Sequence, residues 1–414
     1  MSANFTIGAL ERSIVTNLPF NGIKILDLTR WLAGPIATSL LGDLGAEVIK
    51  VESLPTGDQT RQTAPFIDGE SAYYMSINRN KKSVALNFRT PQGKEILKRL
   101  ALSCDVLAEN FKVGVTEQMG LGYETLKAEN PRLVYGAITA YGLDGPYRDR
   151  AGLDQVAQGM GGLASVTGFD SSNPVRVGVP ISDLTTGMLA AVAISSALYE
   201  RQVTGKGRRV EVSLLDSTIG LLTFQAQKFL SLGDVPTPQG NNHPLLTPCG
   251  VFETSNGPMN LCVSSDSHWK IFCDILDSPE LLSDPRFTNN TTRRQHQDEL
   301  LELLRPHLAV RTREEWTEAL SDGGIPAGPL YSVGELFSDP HVQARNVVET
   351  TNHATLGDLP LVRSPIRMEG MERSVRLAPP VLGQHTKEVL EDLGFTTDEV
   401  RTLLDEGVAL QATL

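Results

Sequence analysis

Cysteine is scarce in this 414-residue chain: there are four, and none sits in a C-x-x-C pair. That spacing argues against a structural zinc site. Cys104, Cys249, Cys262 and Cys273 therefore read as reduced, mostly buried thiols of a cytoplasmic protein. No run of the roughly 18 apolar residues that a membrane span needs is present. The first stretch carries Glu11 and Arg12 and lacks an apolar core, so no secretory leader is expected. Basic residues are outnumbered, 37 Lys and Arg against 49 Asp and Glu, for a net charge of −12. Nothing in that balance neutralises a nucleic-acid backbone. A small anionic ligand, which needs only a local site, is not excluded. The seven histidines are scattered, without the i, i+4 pairing of a helical metal site. Neither G-x-S-x-G nor G-x-x-x-x-G-K-[ST] occurs, which removes the α/β-hydrolase and P-loop readings. No metal site is expected.

What is present is an ordinary globular composition, 40% hydrophobic and 21% charged. Its N-terminal half alternates strand and helix patterns. IKILDL (23–28) reads as a strand, Pro35 to Leu44 as a helix, and EVIKVE (47–52) as the next strand. Further strands are expected over 83–88, 105–111 and 133–140. Thr90 and Pro91 open a helix to about Ser103, Thr as N-cap and Pro at the first position. This alternation predicts a doubly wound, Rossmann-like parallel sheet. After a short strand over 209–214, one long helix is expected from Asp216 to Leu232. It leads into GDVPTPQGNNHPLLTP, a linker or active-site loop. Residues 251–263 carry Ser-Asn-Gly between apolar runs, a hairpin signal. Helices follow, one opened by the capping box at Thr312 and Glu315. The expected organisation is a large α/β domain over 1–215 completed by the tail 330–414. A linker segment covers 216–250, and a smaller α+β domain 251–329.

The stretch VPISDLTTGML (179–189) poses the functional question. A strand-like run over 177–181 meets Ser182 and Asp183, and a long helix of small and apolar residues follows. Asp183 is either a helix N-cap or a catalytic carboxylate placed where α/β folds put their chemistry. Asp154, in AGLDQVAQGMGG, opens another probable helix. Two carboxylates at two helix mouths could converge on one sheet edge. GMGGLA (159–164) fits G-x-G-x-x-A but lacks the preceding strand, so it reads as close helix packing. The basic turn from Gly205 to Arg209 reads as a solvated loop.

The ordered segments LAGPIATSLLGDLGAEVIKVE, NRNKKSVALNFRTPQGKEIL, DVLAENFKVGVTEQMGLGYE, NPRLVYGAITAYGLDGPY, VPISDLTTGMLAAVAISSALYERQVTGKGRRVEVSLLD and GIPAGPLYSVGELFSDPHVQAR together resemble the class III CoA-transferases, the CaiB–BaiF group. The likeness runs from GIKILDLTRWLAGP to LGQHTKEVLEDLG. It implies a nucleophilic Asp183 that carries CoA as an aspartyl thioester between two carboxylic acids, with Asp154 as a supporting carboxylate. Coenzyme A is then part of the substrate, and no tightly bound cofactor is expected. The α-methylacyl-CoA racemases of the same family use a His in a Gly-His-Asp step. That step is Gly152, Leu153, Asp154 here, and Leu153 cannot exchange a proton. A non-catalytic CoA-binding protein is the third class.

The resemblance places CoA along Trp31, Leu32 and Ala33, with Tyr73 and Asn110 in the pocket and Leu86, Asn87 and Arg89 near the adenine and phosphates. The family's phosphate-binding Arg positions are Ser53 and Gln118 here, so Arg79, Lys81, Lys82 or Arg89 would have to meet that charge. Formyl-CoA transferases carry a four-glycine loop where this chain has GNNHPLLTPCG, which places His243 with Arg30 and Leu153 among the substrate-side residues. Arg30 and Arg176 could hold a second carboxylate. This leans toward succinyl-CoA as donor. The family fold further implies an interlocked homodimer.

Overall fold

The computed structural model describes residues 18–414. They divide into two compact units. The first is formed by the chain up to Leu163, Val177–Thr223 and Asn346–Leu414, the second by Ala164–Arg176 and Phe224–Arg345. The expected boundaries at 215 and 330 thus shift to 223 and 345, and residues 164–176 join the second unit.

In the first unit, strands β1 (Lys24–Asp27), β2 (Glu47–Ser53), β3 (Lys81–Leu86), β4 (Val106–Glu109), β5 (Val134–Thr139), β6 (Arg209–Ser213) and β7 (Ala409–Leu410) make one sheet in the order β7-β3-β2-β1-β4-β5-β6. All neighbours are parallel except the antiparallel β7–β3 edge pair. The order 3-2-1-4-5-6 is that of dinucleotide-binding sheets, with its topological switch between β1 and β4. Crevices at such switch points, beyond the strand C-termini, are where these sheets bind ligands.

Alternation along the strands builds a core on each face. Leu26, Ile49, Val84 and Leu107 pack with Ile96, Leu97 and Leu100 of helix Pro91–Ser103 and with Val389, Leu390, Val400 and Leu403 of the tail. Ile25, Val48, Val106 and Val134 face the other way, onto helices Ala33–Asp43 (α1) and Ile181–Thr204 (α2). Helix α2 is long and apolar enough to cross a membrane by length and composition. It instead buries Thr186, Ala190, Ile194, Ala197 and Arg201 along one stripe. Gly187 permits the closest approach: a Cβ there would lie 2.5 Å from the Ala33 carbonyl oxygen.

Several expectations hold closely. Thr90 accepts from the Gly93 N–H and Pro91 is the first helical residue. Thr312 and Glu315 form the reciprocal capping box. Strands Cys249–Thr254 and Gly257–Cys262 form the expected hairpin, joined by Ala327–Pro329 in a three-stranded antiparallel sheet of the second unit. Its core centres on Trp269, Phe272, Phe287 and Trp316.

Three expectations are corrected. No strand forms over 177–181: Pro180 offers no N–H to a ladder, and Ile181 already begins α2. The helix expected from Asp216 to Leu232 is two, Leu214–Leu221 and Phe224–Leu232, broken where Thr223 adopts a φ of 44°. Cys249 and Cys262 are not separate thiols. They oppose each other across the hairpin and pair as a disulfide. Cys104 and Cys273 remain free and buried.

Candidate active site

Asp183 lies in the first turn of α2, yet it does not cap that helix. The cap position is Pro180, and no side chain of the helix start bonds its N–H groups. The cap comes from elsewhere in the sequence. Asp154, the first residue of helix Asp154–Met160, accepts the Ser182 N–H at 2.8 Å and the Asp183 N–H at 3.3 Å through Oδ1. Its Oδ2 accepts from Gln158 Nε2 at 2.7 Å. The fully buried Gln158 in turn accepts the Val177 N–H at 2.8 Å. Asp154 thus takes the capping role that the sequence offered to Asp183. Asp154 satisfies the helix start, and no hydrogen bond to the Asp183 carboxylate appears among the described residues.

Burial, and then the negative charge of Asp154, push the Asp183 carboxyl up to about 7. A half-buried carboxylate with no donor on it and a like charge beside it is poorly stabilised as an anion, and so reactive. Tyr73, half-buried, feels the same neighbourhood: burial and the charges of Asp183, Asp58 and Asp154 push its phenol up to about 12. It stays a neutral O–H beside the carboxylates. Below Asp183, Ser182 is fixed by the Thr218 hydroxyl at 2.7 Å. Leu153 precedes Asp154 and is 61% exposed; as a leucine it leaves the position of the racemase His without a titratable group.

The loop after β1 is the second component, at the switch point of the sheet. Trp31 has a φ of 65°, a left-handed conformation rare for a bulky residue. Asn110, just past β4, clamps the residue before it: Asn110 Oδ1 accepts the Arg30 N–H at 2.9 Å and Nδ2 donates to the Arg30 carbonyl at 2.7 Å. The loop then enters α1, whose cap residue Leu32 makes no side-chain cap. No acceptor for the N–H groups of Leu32, Ala33 and Gly34 appears among the described residues. Gly34 is required here, because a Cβ would lie 2.3 Å from Thr29 Cβ.

A cavity of about 160 Å³ opens beside this loop, lined among others by Arg30, Ser53, Phe88, Arg89 and Phe111. Arg30 stacks on the Phe111 ring at 4.7 Å. Of the basic residues considered for phosphate charge, three are committed elsewhere. Arg79 pairs with Asp43 at 2.6 Å, Lys81 with the buried Asp27 at 2.9 Å, and Lys82 with Glu47 and Glu388 at 2.7 Å. Arg89 remains, and Arg30 shares its cavity. Leu86 is fully buried in β3, so its side chain is core and offers a ligand nothing. The Asn87 side chain accepts the Arg89 N–H at 3.3 Å. His243 and Arg176 belong to the second unit. There, His243 Nδ1 accepts the N–H groups of Leu245 and Leu246, both at 3.1 Å, which leaves Nε2 to carry the proton.

Sequence reasoning passed over Gln158, Lys50, Asp58 and Asp27. A signal was available for two of them. Lys50 in EVIKVE and Asp27 in IKILDL are charges inside runs that a parallel sheet buries on both faces, and both are fully buried. Among the described residues, no cluster of three or more His, Cys, Asp or Glu is arranged to hold a metal.

Comparison with known proteins gives the family. The profile of CoA-transferase family III matches residues 20–386. The chain is 40% identical over 395 residues to the succinyl-CoA:glutarate CoA-transferase of Mus musculus, covering 95% of this chain and 91% of that protein. It is 36% identical over 382 residues to the succinate–glutarate CoA-transferase of Agrobacterium fabrum, covering 91% and 96%. A CaiB/BaiF family protein from Brucella suis superposes with a TM-score of 0.81 at 37% identity, covering 91% of this chain and all of that one. The fold is that of the CaiB/BaiF proteins, which are CoA-transferring enzymes by family, and the chain belongs to CoA-transferase family III.

Proposed function

We propose that the protein moves CoA from succinyl-CoA to a second carboxylic acid, of dicarboxylate type, through a thioester on Asp183. The observation that carries this is the Asp183 carboxylate itself: half-buried, unbonded among the described residues, and relieved of the capping role by Asp154. The names of the relatives support the choice of acids, with glutarate recurring as acceptor.

The chemistry balances without a proton. The Asp183 carboxylate attacks the acyl carbon of the thioester. The C–S bond breaks, giving an acyl–aspartyl anhydride and CoA thiolate. The thiolate attacks the aspartyl carbonyl and releases the first acid as its carboxylate, leaving CoA on Asp183. The second carboxylate attacks that thioester, forming a new anhydride and freeing thiolate. Thiolate then attacks the acceptor's acyl carbon, and the Asp183 carboxylate leaves. No general base is called for, which suits an apolar Leu153. Each step builds an oxyanion. The open N–H groups of Leu32, Ala33 and Gly34, at the positive end of α1, suit that charge. Water must be kept out for the thioester's energy to be retained.

CoA would lie over the switch-point loop, with Arg89 and Arg30 facing its phosphates. That moves Arg30 from the acceptor to the CoA side of the substrate. A homodimer completes the reading. Helix α2 exposes Met188, Val192, Tyr199 and Val203 along one stripe, the kind of face a second chain covers. A screen of acyl-CoA donors against carboxylates, read by mass spectrometry, tests the proposal. It predicts succinyl-CoA as donor and new CoA thioesters only when a free acid is supplied. Exchange of an α-proton with solvent at turnover rates, without an acceptor, would replace transferase by racemase.

A further inference from the structure

Five consecutive backbone polar groups in the switch-point loop are each held by a side chain, the first by the end of β1 itself and the other four by more distant parts of the chain. The Thr29 N–H goes to Asp27 Oδ1 at 2.9 Å. The Thr29 carbonyl takes Lys50 Nζ at 2.7 Å. The Arg30 N–H and carbonyl are the pair held by Asn110. The Trp31 N–H points at Asp58 Oδ1 at 3.4 Å. Behind them, Lys50 Nζ pairs with Asp58 Oδ2 at 2.9 Å, both side chains 1% exposed. Asp58 is itself fixed, since it accepts the Thr60 N–H at 3.0 Å and its own N–H bonds Glu52 at 3.0 Å. Burial opposes the Lys50 charge, but Asp58 first and then Asp27 overcome that and raise its pKa.

A buried ion pair is weak evidence for stability, because taking two charges out of water costs about what their attraction returns. This one sits where the backbone is strained. A non-glycine residue at a φ of 65° persists only when its surroundings over-determine it, and such strain gathers at functional loops. The next three N–H groups are the open ones of Leu32, Ala33 and Gly34.

We propose that Lys50 and Asp58 are positioning residues: their buried pair holds Trp31 in the left-handed conformation that aims the N–H groups of Leu32–Gly34 at the reacting carbonyl. The proposal rests on the CoA-transferase mechanism above. Both border the cavity beside the loop, but with side chains only 1% exposed they present almost no surface to it. Both act through the backbone of residues 29–31.

The test is a double-mutant cycle read in two ways. Asp58→Asn keeps an oxygen for the Trp31 N–H but removes the partner of Lys50. It should lower kcat by roughly 10²-fold, the cost of displacing a reacting geometry by about 1 Å, while KM for the acceptor acid holds. Hydrogen exchange of the 29–36 segment should quicken in the same variant while the strands stay protected. Trp31→Gly removes the cost of positive φ. In that background the kcat loss from Asp58→Asn should be roughly tenfold smaller, because the pair then has less strain to restrain. Lys50→Met should repeat the pattern; if it fails to fold, Asp58→Asn carries the cycle. Strictly multiplicative losses, or unchanged exchange over 29–36 with normal kcat per folded molecule, would overturn the proposal. Should the wild type transfer CoA to no acid at all, the functional reading fails. Exchange over 29–36 alone then decides whether the pair holds the loop.

Discussion

Replacing Asp183 with asparagine separates catalysis from stability, and the two should move in opposite directions. The carboxyl is pushed from an ordinary 3.8 to about 7 in the folded chain. A raised pKa means that the folded state binds the proton more tightly than the unfolded state. The contribution is thus complete below pH about 4 and is lost as pH rises through 7. Each unit is worth about 1.36 kcal/mol, so the gap of roughly three units sets an upper limit near 4 kcal/mol of destabilisation above pH 7. The side chain is half-buried, and water around it trims this to about 2–4 kcal/mol. The asparagine that replaces Asp183 carries no charge at any pH. The variant should match wild type near pH 4 and exceed it by that amount at pH 8, while transfer falls to background. Urea unfolding at both pH values, at one protein concentration, measures the difference. Equal or lower stability of Asp183→Asn at pH 8 would refute the burial and like-charge argument. Retained turnover would remove Asp183 from the mechanism.

Other perturbations follow from the same contacts. Wild-type activity should rise as pH increases through about 7, as Asp183 ionises. Asp154→Asn removes the adjacent charge, so the acid limb of that profile should move to lower pH, while loss of the charged cap costs about 1 kcal/mol in urea unfolding. Leu153→His should keep transfer, since no step needs a proton. In deuterated water with a chiral α-methylacyl-CoA, any α-proton exchange should appear in the variant and not in wild type. Arg89→Ala and Arg30→Ala should raise KM for the CoA substrate, with a weaker salt dependence than wild type, and leave KM for the acceptor unchanged. A selective change in the acceptor's KM for Arg30→Ala would return that residue to the acid side.

The elements whose causes are local were legible in the sequence. Thr90 with Pro91, Thr312 with Glu315, and the hairpin around Ser255 and Asn256 are specified by neighbours two or three residues apart. Strand and helix alternation sufficed for the doubly wound sheet. What escaped depends on distant partners. The cap of α2 comes from Asp154, outside that helix and separated from it by residues of the other unit. Asp183 could therefore be read as cap, nucleophile or both. Lys50 and Asp27 were visible as charges inside apolar strands, but their partners Asp58 and Lys81 become neighbours only when the sheet is assembled. The Cys249–Cys262 pairing follows from hairpin register, which their separation of 13 does not announce. The run over 177–181 misled because strand-like apolar residues say nothing about whether a neighbouring strand exists; Pro180 was the contrary signal.

The proposed transfer turns on one covalent bond. Wild-type protein incubated with succinyl-CoA and no acceptor, then digested and mapped by mass spectrometry, should show CoA on the peptide containing Asp183. Adding glutarate should discharge it as glutaryl-CoA, and Asp183→Asn should never acquire it. CoA transfer at full rate with no adduct on that peptide, or an adduct on another carboxylate that persists in Asp183→Asn, would contradict a thioester on Asp183.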